Sequence, residues 1–372
     1  MIKKLKTFTL QVVAGGNIAT VIIMMFIGFS DRLNPATFPL LSNVGLAFPF
    51  FLFINFAFLV FWVIFKTRGV WIPLAGFLLC YIPIRNYCPL NVGHEPPRDA
   101  IKVLSYNVWL FAGWEDGENN SNPILDYIAE QDADIVCLQE SGTNEVGKQK
   151  VDSVLNSIYH YRDTANNGSG NTISIIINNW SIFSKFPIVS KENIPYPSKG
   201  NLSAAFKLMI NGTEVIVINN HLETTGLTVE EKVQFKEMMK GETGADTTKA
   251  TSRMLLKKLS RATTIRAVEA DAVARYIAYH RSTPMIVCGD FNDSPISYAH
   301  RTIAKDLTDC YIETGMGPGI SYHSNGFYVR IDNIMCSEHF KPYKCRVDNS
   351  IKTSDHYPIS CWLEKRSVTS KK

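Results

Sequence analysis

The segment Ile286-Val287-Cys288-Gly289-Asp290-Phe291-Asn292-Asp293 passes from an apolar run straight into carboxylate, amide and carboxylate. Met285, Ile286 and Val287 stand between Pro284 and Gly289, and a short apolar run between breakers reads as a buried β-strand. Residues two apart on extended backbone share a face, so Asp290 and Asn292 are delivered together to whatever lies at the strand's carboxyl end. A strand followed by an ordinary polar turn before Pro295 accounts for the same residues, and recurrence separates the two readings.

The pattern recurs. Ile101 to Asn107 is an apolar run ending on an amide, and Ala133 to Glu140 is one ending on a carboxylate. Glu214 to Asn219 feeds Asn220-His221-Leu222-Glu223, Arg330 to Cys336 carries Asp332 inside it, and Ser354-Asp355-His356 leads into a run from Tyr357 to Leu363. Thr172 to Ile177 and Ala204 to Ile210 also read as strands, and Pro123 to Gln131 as a helix. Many strands with few intervening helices predict packed sheets with mixed pairing rather than a doubly wound parallel sheet. Between His221 and Asp290 an insertion at about 224–280 reads as helical. Its first helix lies around Glu230 to Lys240 and is broken by Gly241 and Gly244; in the second, Leu255, Leu259, Ala262, Ile265, Val268, Ala272 and Tyr276 recur at helical steps. Lys257, Lys258, Arg261 and Arg275 lie opposite, a face suited to anionic lipid or a phosphate-bearing substrate. Glu230, Glu231, Glu237, Glu242 and Asp246 dilute that charge, which favours an ordinary solvated face.

The first 95 residues differ in kind. No Asp, Glu, Lys, Arg or His occurs from Thr7 to Ser30, from Leu33 to Phe65 or from Gly69 to Ile84. The first two gaps exceed the roughly 20 residues a helix needs to cross a bilayer core; the third is shorter and holds Pro73 and Pro83. These gaps predict an all-α anchor over 1–95 with spans at about 8–29, 42–65 and 70–87. A cleaved signal peptide competes for the first stretch, but its apolar core is usually about 7–15 residues and is not followed by two more. Lys3, Lys4 and Lys6 precede the first span and Lys66 and Arg68 follow the second, while Asp31 and Arg32 are the charges between the first two. Basic flanks stay inside, so three crossings carry the rest of the chain to the outer side, the periplasmic side of the inner membrane in a bacterial cell; two would leave it in the cytoplasm. Pro96 and Pro97 mark the junction to a domain over 96–372. The 8 Cys include no CxxC pair, which leaves no zinc pattern. Cys137 and Cys288 read as small buried hydrophobes, and the spacing of Cys310, Cys336, Cys345 and Cys361 fixes no disulfide.

Strand ends on one side of a sheet converge, so Asn107, Glu140, His221, Asp290, Asn292, Asp332, Asp355 and His356 form a candidate metal and phosphate site. Singly, each has an ordinary structural explanation. Their oxygen ligands suit a hard cation, magnesium above all.

The motifs SYNVW (105–109), DIVCLQE (134–140), NNHLE (219–223), GDFND (289–293), RIDNI (330–334) and SDHYPI (354–359) stand in an order and spacing that resembles the endonuclease/exonuclease/phosphatase superfamily of metal-dependent phosphoester hydrolases. Ile182 to Ile188 is similar to that family's strand and turn between its second and third motifs. The resemblance spans essentially residues 100–364 and leaves 1–95 uncovered. It implies an α/β fold, a four-layer sandwich of two packed mixed sheets flanked by helices. It further implies that Glu140, with Asn107 and Asp355, holds magnesium or, in its place, manganese. On the same resemblance Asp290 orients or deprotonates the attacking water, Asn292 bonds the phosphate, and His221 and His356 donate to phosphoryl oxygens, one of them protonating the leaving group. Asp332 then holds the His356 imidazole in its tautomer.

Two departures narrow the substrate. Trp109 stands where the abasic-site endonucleases of this family carry an Asp, and the residues after Asn292 and before Arg330 lack the inositol-polyphosphate phosphatase pattern. The expectation is a membrane-anchored, magnesium-dependent phosphodiesterase or phosphatase acting on lipid, nucleic acid or a small phosphate. Its partners are that substrate and the bilayer, with no obligate protein partner. A nuclease on extracytoplasmic DNA or RNA is the first alternative, disfavoured by a net charge of only +4. A non-catalytic tethered binding module is the second, disfavoured because all eight site residues are present.

Overall fold

Asp290 ends a strand that lies between one parallel and one antiparallel neighbour, and the two sheets follow from that arrangement. The computed structural model describes residues 2–65, 68–112, 121–166, 179–198 and 200–366. The expected strand at Thr172 to Ile177 falls outside them. The described strands are β1 (Ile101–Asn107), β2 (Ile135–Gln139), β3 (Tyr161–Asn166), β4 (Asn179–Ser184), β5 (Ile188–Asn193), β6 (Leu202–Ile210), β7 (Thr213–His221), β8 (Met285–Asp290), β9 (Thr308–Asp309), β10 (Tyr322–Ser324), β11 (Phe327–Val329), β12 (Asp332–Cys336), β13 (Phe340–Val347) and β14 (Ile359–Lys365). The longer helices are α1 (Ile2–Gly28), α2 (Phe48–Ile64), α3 (Trp71–Leu79), α4 (Tyr81–Tyr87), α5 (Pro123–Gln131), α6 (Glu145–Leu155), α7 (Val229–Met239), α8 (Ala245–Tyr279), α9 (Tyr298–Ile303) and α10 (Cys310–Thr314).

One sheet runs β13-β14-β1-β2-β4-β3, the other β5-β6-β7-β8-β12-β9, with β10 and β11 a separate hairpin. Both pairings are mixed, as expected: β1 is parallel to β2 and antiparallel to β14, and β8 is parallel to β7 and antiparallel to β12. Side chains alternate across each strand, so β1 sends Val103 between the sheets and Leu104 outward, while β8 sends Ile286 inward and Val287 outward. Val103, Ile135, Cys137, Phe206, Val217 and Ile334 thus close the inter-sheet core. Ile124, Ile128 and Leu155 of α5 and α6 cover one outer face, and Ala270, Val273 and Ile277 of α8 cover the other. This is the four-layer α/β sandwich. The insertion forms two helices as expected, and Leu255, Ala262 and Ala272 of the expected apolar face are buried; Val268 is 47% exposed, and Arg266, Glu269 and Ala270 extend the buried face. An apolar count misses that extension because two of its members are charged. All eight cysteines are free thiols.

Gly289 shows how tightly the strands meet. Its φ is +121°, and a Cβ there would stand 2.0 Å from the Asn220 carbonyl oxygen of β7. Glycine is required on both counts.

In the first 95 residues, the stretches Lys4–Arg32 and Leu41–Ile64 are helical, long and apolar enough to cross a membrane. Where the third span is expected stand two helices, α3 and α4, bent by 67° at a break. Small residues let the helices close up: a Cβ on Gly76 would reach Val21, and one on Gly28 would reach Pro83. Polar side chains inside the bundle pair with each other, Asn17 donating to Asn55 at 3.0 Å and the Trp62 indole donating to Asn17 at 3.0 Å.

The helical bundle seats on the sandwich at two places. The segment joining α1 to α2 reaches α8, where Thr263 Oγ1 donates to Asn43 Oδ1 at 2.7 Å, and Gly45 lies against the Ile296 carbonyl, where a Cβ would come within 2.3 Å. The end of α4 is held by Arg85 on Glu313 at 2.6 Å and by buried Arg330, which donates to the Asn86 carbonyl at 2.9 Å. Asp309 anchors that arginine, accepting from Arg330 Nη1 at 3.0 Å and facing His300 Nε2 at 2.8 Å.

Burial alone would raise the Asp309 carboxyl, but the Arg330 charge and the His300 hydrogen bond take it well below the usual carboxylate range. A group depressed by folding stabilises the native state above its unfolded value of about 3.9 and loses that contribution as pH falls through the acid range below it. Asp309→Asn is therefore expected to cost about 3 kcal/mol at pH 7, the scale for breaking one side of a buried pair. The deficit against wild type should narrow progressively below about pH 4. Thermal unfolding in detergent across that range checks this, and a deficit unchanged from pH 7 to pH 3 would exclude the carboxylate charge as its source.

Candidate active site

The strand register brings the polar strand ends to one place. Asn107 is paired with Gln139 beside Glu140, His221 with Asp290, and Asp290 with Asp332. The two sheets then set these ends face to face. Asn107 Nδ2 lies 3.2 Å from Glu140 Oε1 and 3.2 Å from Asp290 Oδ2, bridging a carboxylate of each sheet. His221 Nε2 is 3.2 Å from Glu140 Oε1 and 3.6 Å from Asp290 Oδ2. On the other side His356 Nε2 lies 3.7 Å from Asp290 Oδ2, and its Nδ1 is 2.8 Å from Asp332 Oδ2. Six of the eight expected residues therefore form one contiguous network around a buried carboxylate.

The other two are placed differently. Asn292 donates its backbone N–H to Asp290 Oδ1 at 2.7 Å, while its side-chain amide is turned to the Leu222 carbonyl at 3.0 Å. Asp355 is partly exposed beside His356, and its carboxylate has no hydrogen-bond partner among the described residues. Ser354 Oγ, next in the chain, donates to the Asn107 carbonyl at 2.8 Å and fastens the 354–356 segment to β1.

The backbone is bent sharply at these points. Glu140 has φ +50° and Asn292 +51°, and Trp109 to Ala112 all lie between +43° and +57°. The left-handed region costs a non-glycine residue about 1–2 kcal/mol, least for Asn, so the strand ends hold the Glu140 conformation against a local preference.

Electrostatically the carboxylates differ. Burial would raise Glu140, but hydrogen bonds from His221 and Asn107 bring it down to about 2. Burial raises Asp290 to about 6, with the neighbouring Asp332 adding to the rise and the two imidazoles opposing it. Burial would lower His221 and His356, yet Glu140, Asp290 and Asp332 raise both. The result is a carboxylate kept ionised at Glu140, a carboxylate with a raised hold on its proton at Asp290, and two imidazoles whose protonated forms are favoured by the carboxylates beside them. Such a set can orient water and stabilise charge on an anionic substrate. Among the described residues, the His, Cys, Asp and Glu side chains that bring three ligand atoms within 4.8 Å of one another are Asp290, Asp332 and His356.

Several contributors went unseen in the sequence. Arg266 of α8 pairs with Asp293 at 2.6 Å and donates to the Glu223 carbonyl at 2.9 Å, tying together the loops that follow β7 and β8. Glu269, one turn on, accepts from the Glu223 N–H at 2.6 Å. Ser321 Oγ accepts from the N–H groups of Ile331 and Asp332 at 3.0 Å each. Tyr322 packs edge-on against His356 with ring centroids 5.0 Å apart, and its hydroxyl is 2.6 Å from Lys232 Nζ of α7. Arg266 and Glu269 on an apolar helix face were the one available hint; nothing local marks the others.

The sequence profile described as "Endonuclease/Exonuclease/phosphatase family" matches residues 104–356, and one described as "Domain of unknown function (DUF8431)" matches residues 10–87. No curated protein matches the chain. Among solved structures, the human Nocturnin catalytic domain with bound sulfate is 18% identical, with 74% of this chain and 96% of that one covered and a TM-score of 0.51. Sphingomyelinase C from Streptomyces griseocarneus is 16% identical, with 72% and 99% covered and a TM-score of 0.50. An endonuclease/exonuclease/phosphatase family protein from Bacteroides thetaiotaomicron is 18% identical, with 73% and 98% covered and a TM-score of 0.50. At such identities the likeness is one of fold. Because the family profile runs from the middle of β1 to His356 and takes in well over half of the chain, this protein belongs to the endonuclease/exonuclease/phosphatase family and is a phosphoester hydrolase.

Proposed function

We propose that this protein is a membrane-anchored, divalent-metal-dependent phosphodiesterase or phosphatase whose metal is magnesium, with manganese able to replace it. The donor chemistry fits: Glu140 carries an ionised carboxylate, Asn107 an amide oxygen, and Asp355 a carboxylate without a hydrogen-bond partner among the described residues, an all-oxygen set suited to a hard cation. These three would hold the ion, whose charge would neutralise the phosphoryl oxygens. The remaining roles belong to side chains. Asp290 orients the attacking water and takes its proton. Asn292 bonds a phosphate oxygen; its Nδ2 turns away from the Leu222 carbonyl or its Oδ1 meets a protonated oxygen. His356, kept in one tautomer by Asp332, and His221 donate to phosphoryl oxygens, and one of them passes a proton to the leaving group. The observation that carries this reading is Asp290 Oδ2, buried, with both imidazoles and the Asn107 amide within 3.7 Å. A second location for the ion, Asp290 with Asp332 and His356, is favoured by their close ligand atoms, although the 2.8 Å bond between Asp332 and His356 already occupies two of them.

An extracytoplasmic hydrolase domain is the topology we infer. The segment joining α1 to α2 touches α8, so it must share a side of the bilayer with the sandwich. The end of α4 touches α10 and Arg330, which supports α3 and α4 together making the third crossing. The basic N-terminus and Arg68 then lie on the opposite, inner side.

The purified full chain should hydrolyse bis(p-nitrophenyl) phosphate or p-nitrophenyl phosphate with magnesium and stop in chelator. Glu140→Gln should keep its far-ultraviolet circular dichroism and lose roughly a hundredfold or more at limiting magnesium, because an amide of the same shape lacks the charge that holds the cation. Near-wild-type activity there would sink the assignment. For Asp332→Asn, turnover should fall by about two orders of magnitude with magnesium affinity nearly unchanged, as expected for a carboxylate behind an imidazole. A loss confined to magnesium affinity would move the ion to Asp290, Asp332 and His356. Alkaline phosphatase fused after Leu363 should be active in cells; an inactive fusion, with a cytosol-maturing fluorescent protein bright at the same position, would reverse the topology.

A further inference from the structure

Where the anchor meets the sandwich there is a cavity of about 860 Å³, within the range of small-molecule sites. It shares no residue with the catalytic network. One wall is the end of the spans, Gly28, Phe29, Ile82 and Pro83; the other is formed by α8, α9, the 3-10 turn at Ala304–Asp306 that leads to β9, and α10. Its charges are unevenly matched. Arg32, Arg275 and Lys305 line it, are exposed, and form no ion pair among the described residues. Asp31 also lines it, with a side chain nine-tenths buried; one oxygen lies 3.8 Å from Arg301 and the other, Oδ1, accepts no hydrogen bond of ordinary geometry among the described residues. Most other carboxylates there are engaged: Asp271 accepts from Tyr298, Asp309 holds Arg330 and His300, and Glu313 holds Arg85. Asp306 also lines it, is exposed and has no side-chain partner among the described residues.

A buried carboxylate oxygen without a hydrogen bond is costly, and polar groups left so point to something that completes them. Unpaired cations beside it call for an anion. Both sit at the depth where a span leaves the hydrocarbon, the depth of lipid headgroups. We infer that this cavity binds the headgroup of a zwitterionic phospholipid, its phosphate on Arg32, Arg275, Arg301 and Lys305 and its ammonium on Asp31, with the acyl chains running down beside Gly28 and Pro83. The lipid would act as a wedge between anchor and hydrolase domain. The inference rests on the anchor crossing a bilayer, and its test separates the two.

The full chain purified in mild detergent is incubated with phosphatidylethanolamine, phosphatidylglycerol, water-soluble glycerophosphoethanolamine or inorganic phosphate, and followed by native mass spectrometry and thermal unfolding. Phosphatidylethanolamine should be retained at one molecule per chain and raise the unfolding temperature, with phosphatidylglycerol at least tenfold weaker. Asp31→Asn should abolish the preference between the two lipids, and Lys305→Ala, at an exposed position that leaves the fold intact, should weaken both. Retention of neither lipid, a preference unchanged in Asp31→Asn, or retention of both lipids unchanged in Lys305→Ala would overturn the inference. Equal stabilisation by glycerophosphoethanolamine or phosphate would overturn its lipid part and leave a soluble-anion site. Release of the chain from membranes by alkaline carbonate would refute the anchor itself.

Discussion

Burying the Asp290 carboxylate where the ends of two sheets meet is the constraint on which the rest of the structure depends. An isolated ion there would be several kcal/mol unfavourable, so it persists only with donors around it. Its Oδ1 takes the Asn292 N–H, and its Oδ2 faces Asn107, His221 and His356. Those groups come from β1, β7 and the segment before β14, so the carboxylate is tolerable only when both sheets are assembled in register. Assembly of the fold and assembly of the network are thus one event.

The same constraint explains the glycine before it. With Gly289 pressed to the Asn220 carbonyl, β8 stands close enough to β7 for His221 to reach across to Asp290. Farther out, Arg266 and Glu269 hold the loops after β7 and β8, so the long helix serves as a brace for the site rather than as an appendage.

A second buried charge cluster joins the N-terminal helical bundle to the sandwich. Arg330 stands two residues before Asp332 and binds both Asp309 and the last turn of α4 through the Asn86 carbonyl. A shift of that turn would therefore be felt at β12, whose first residue orients His356. Packing of this kind makes the domain and its helical bundle mechanically continuous.

The apolar runs, their polar ends and the uncharged stretches are local facts, and the sequence by itself determined them: β1, β2, β6, β7, β8 and β14, the helical pair of the insertion, the mixed sheets and the names of the eight polar residues. Backbone hydrogen bonding and side-chain alternation act over a few residues, which is why they are legible in a row of letters. Only the tertiary structure decided which strand ends share a face, and hence that six of the eight touch while the Asp355 carboxylate makes no hydrogen bond to them and the Asn292 amide turns away. It also decided the burial of Arg266 and Glu269 on α8, because their partners lie tens of residues away on other loops. The break between α3 and α4 and the cavity beside Asp31 belong to the same class. Each depends on desolvation and on contacts between segments distant in the chain, and those energies exist only once the layers have closed.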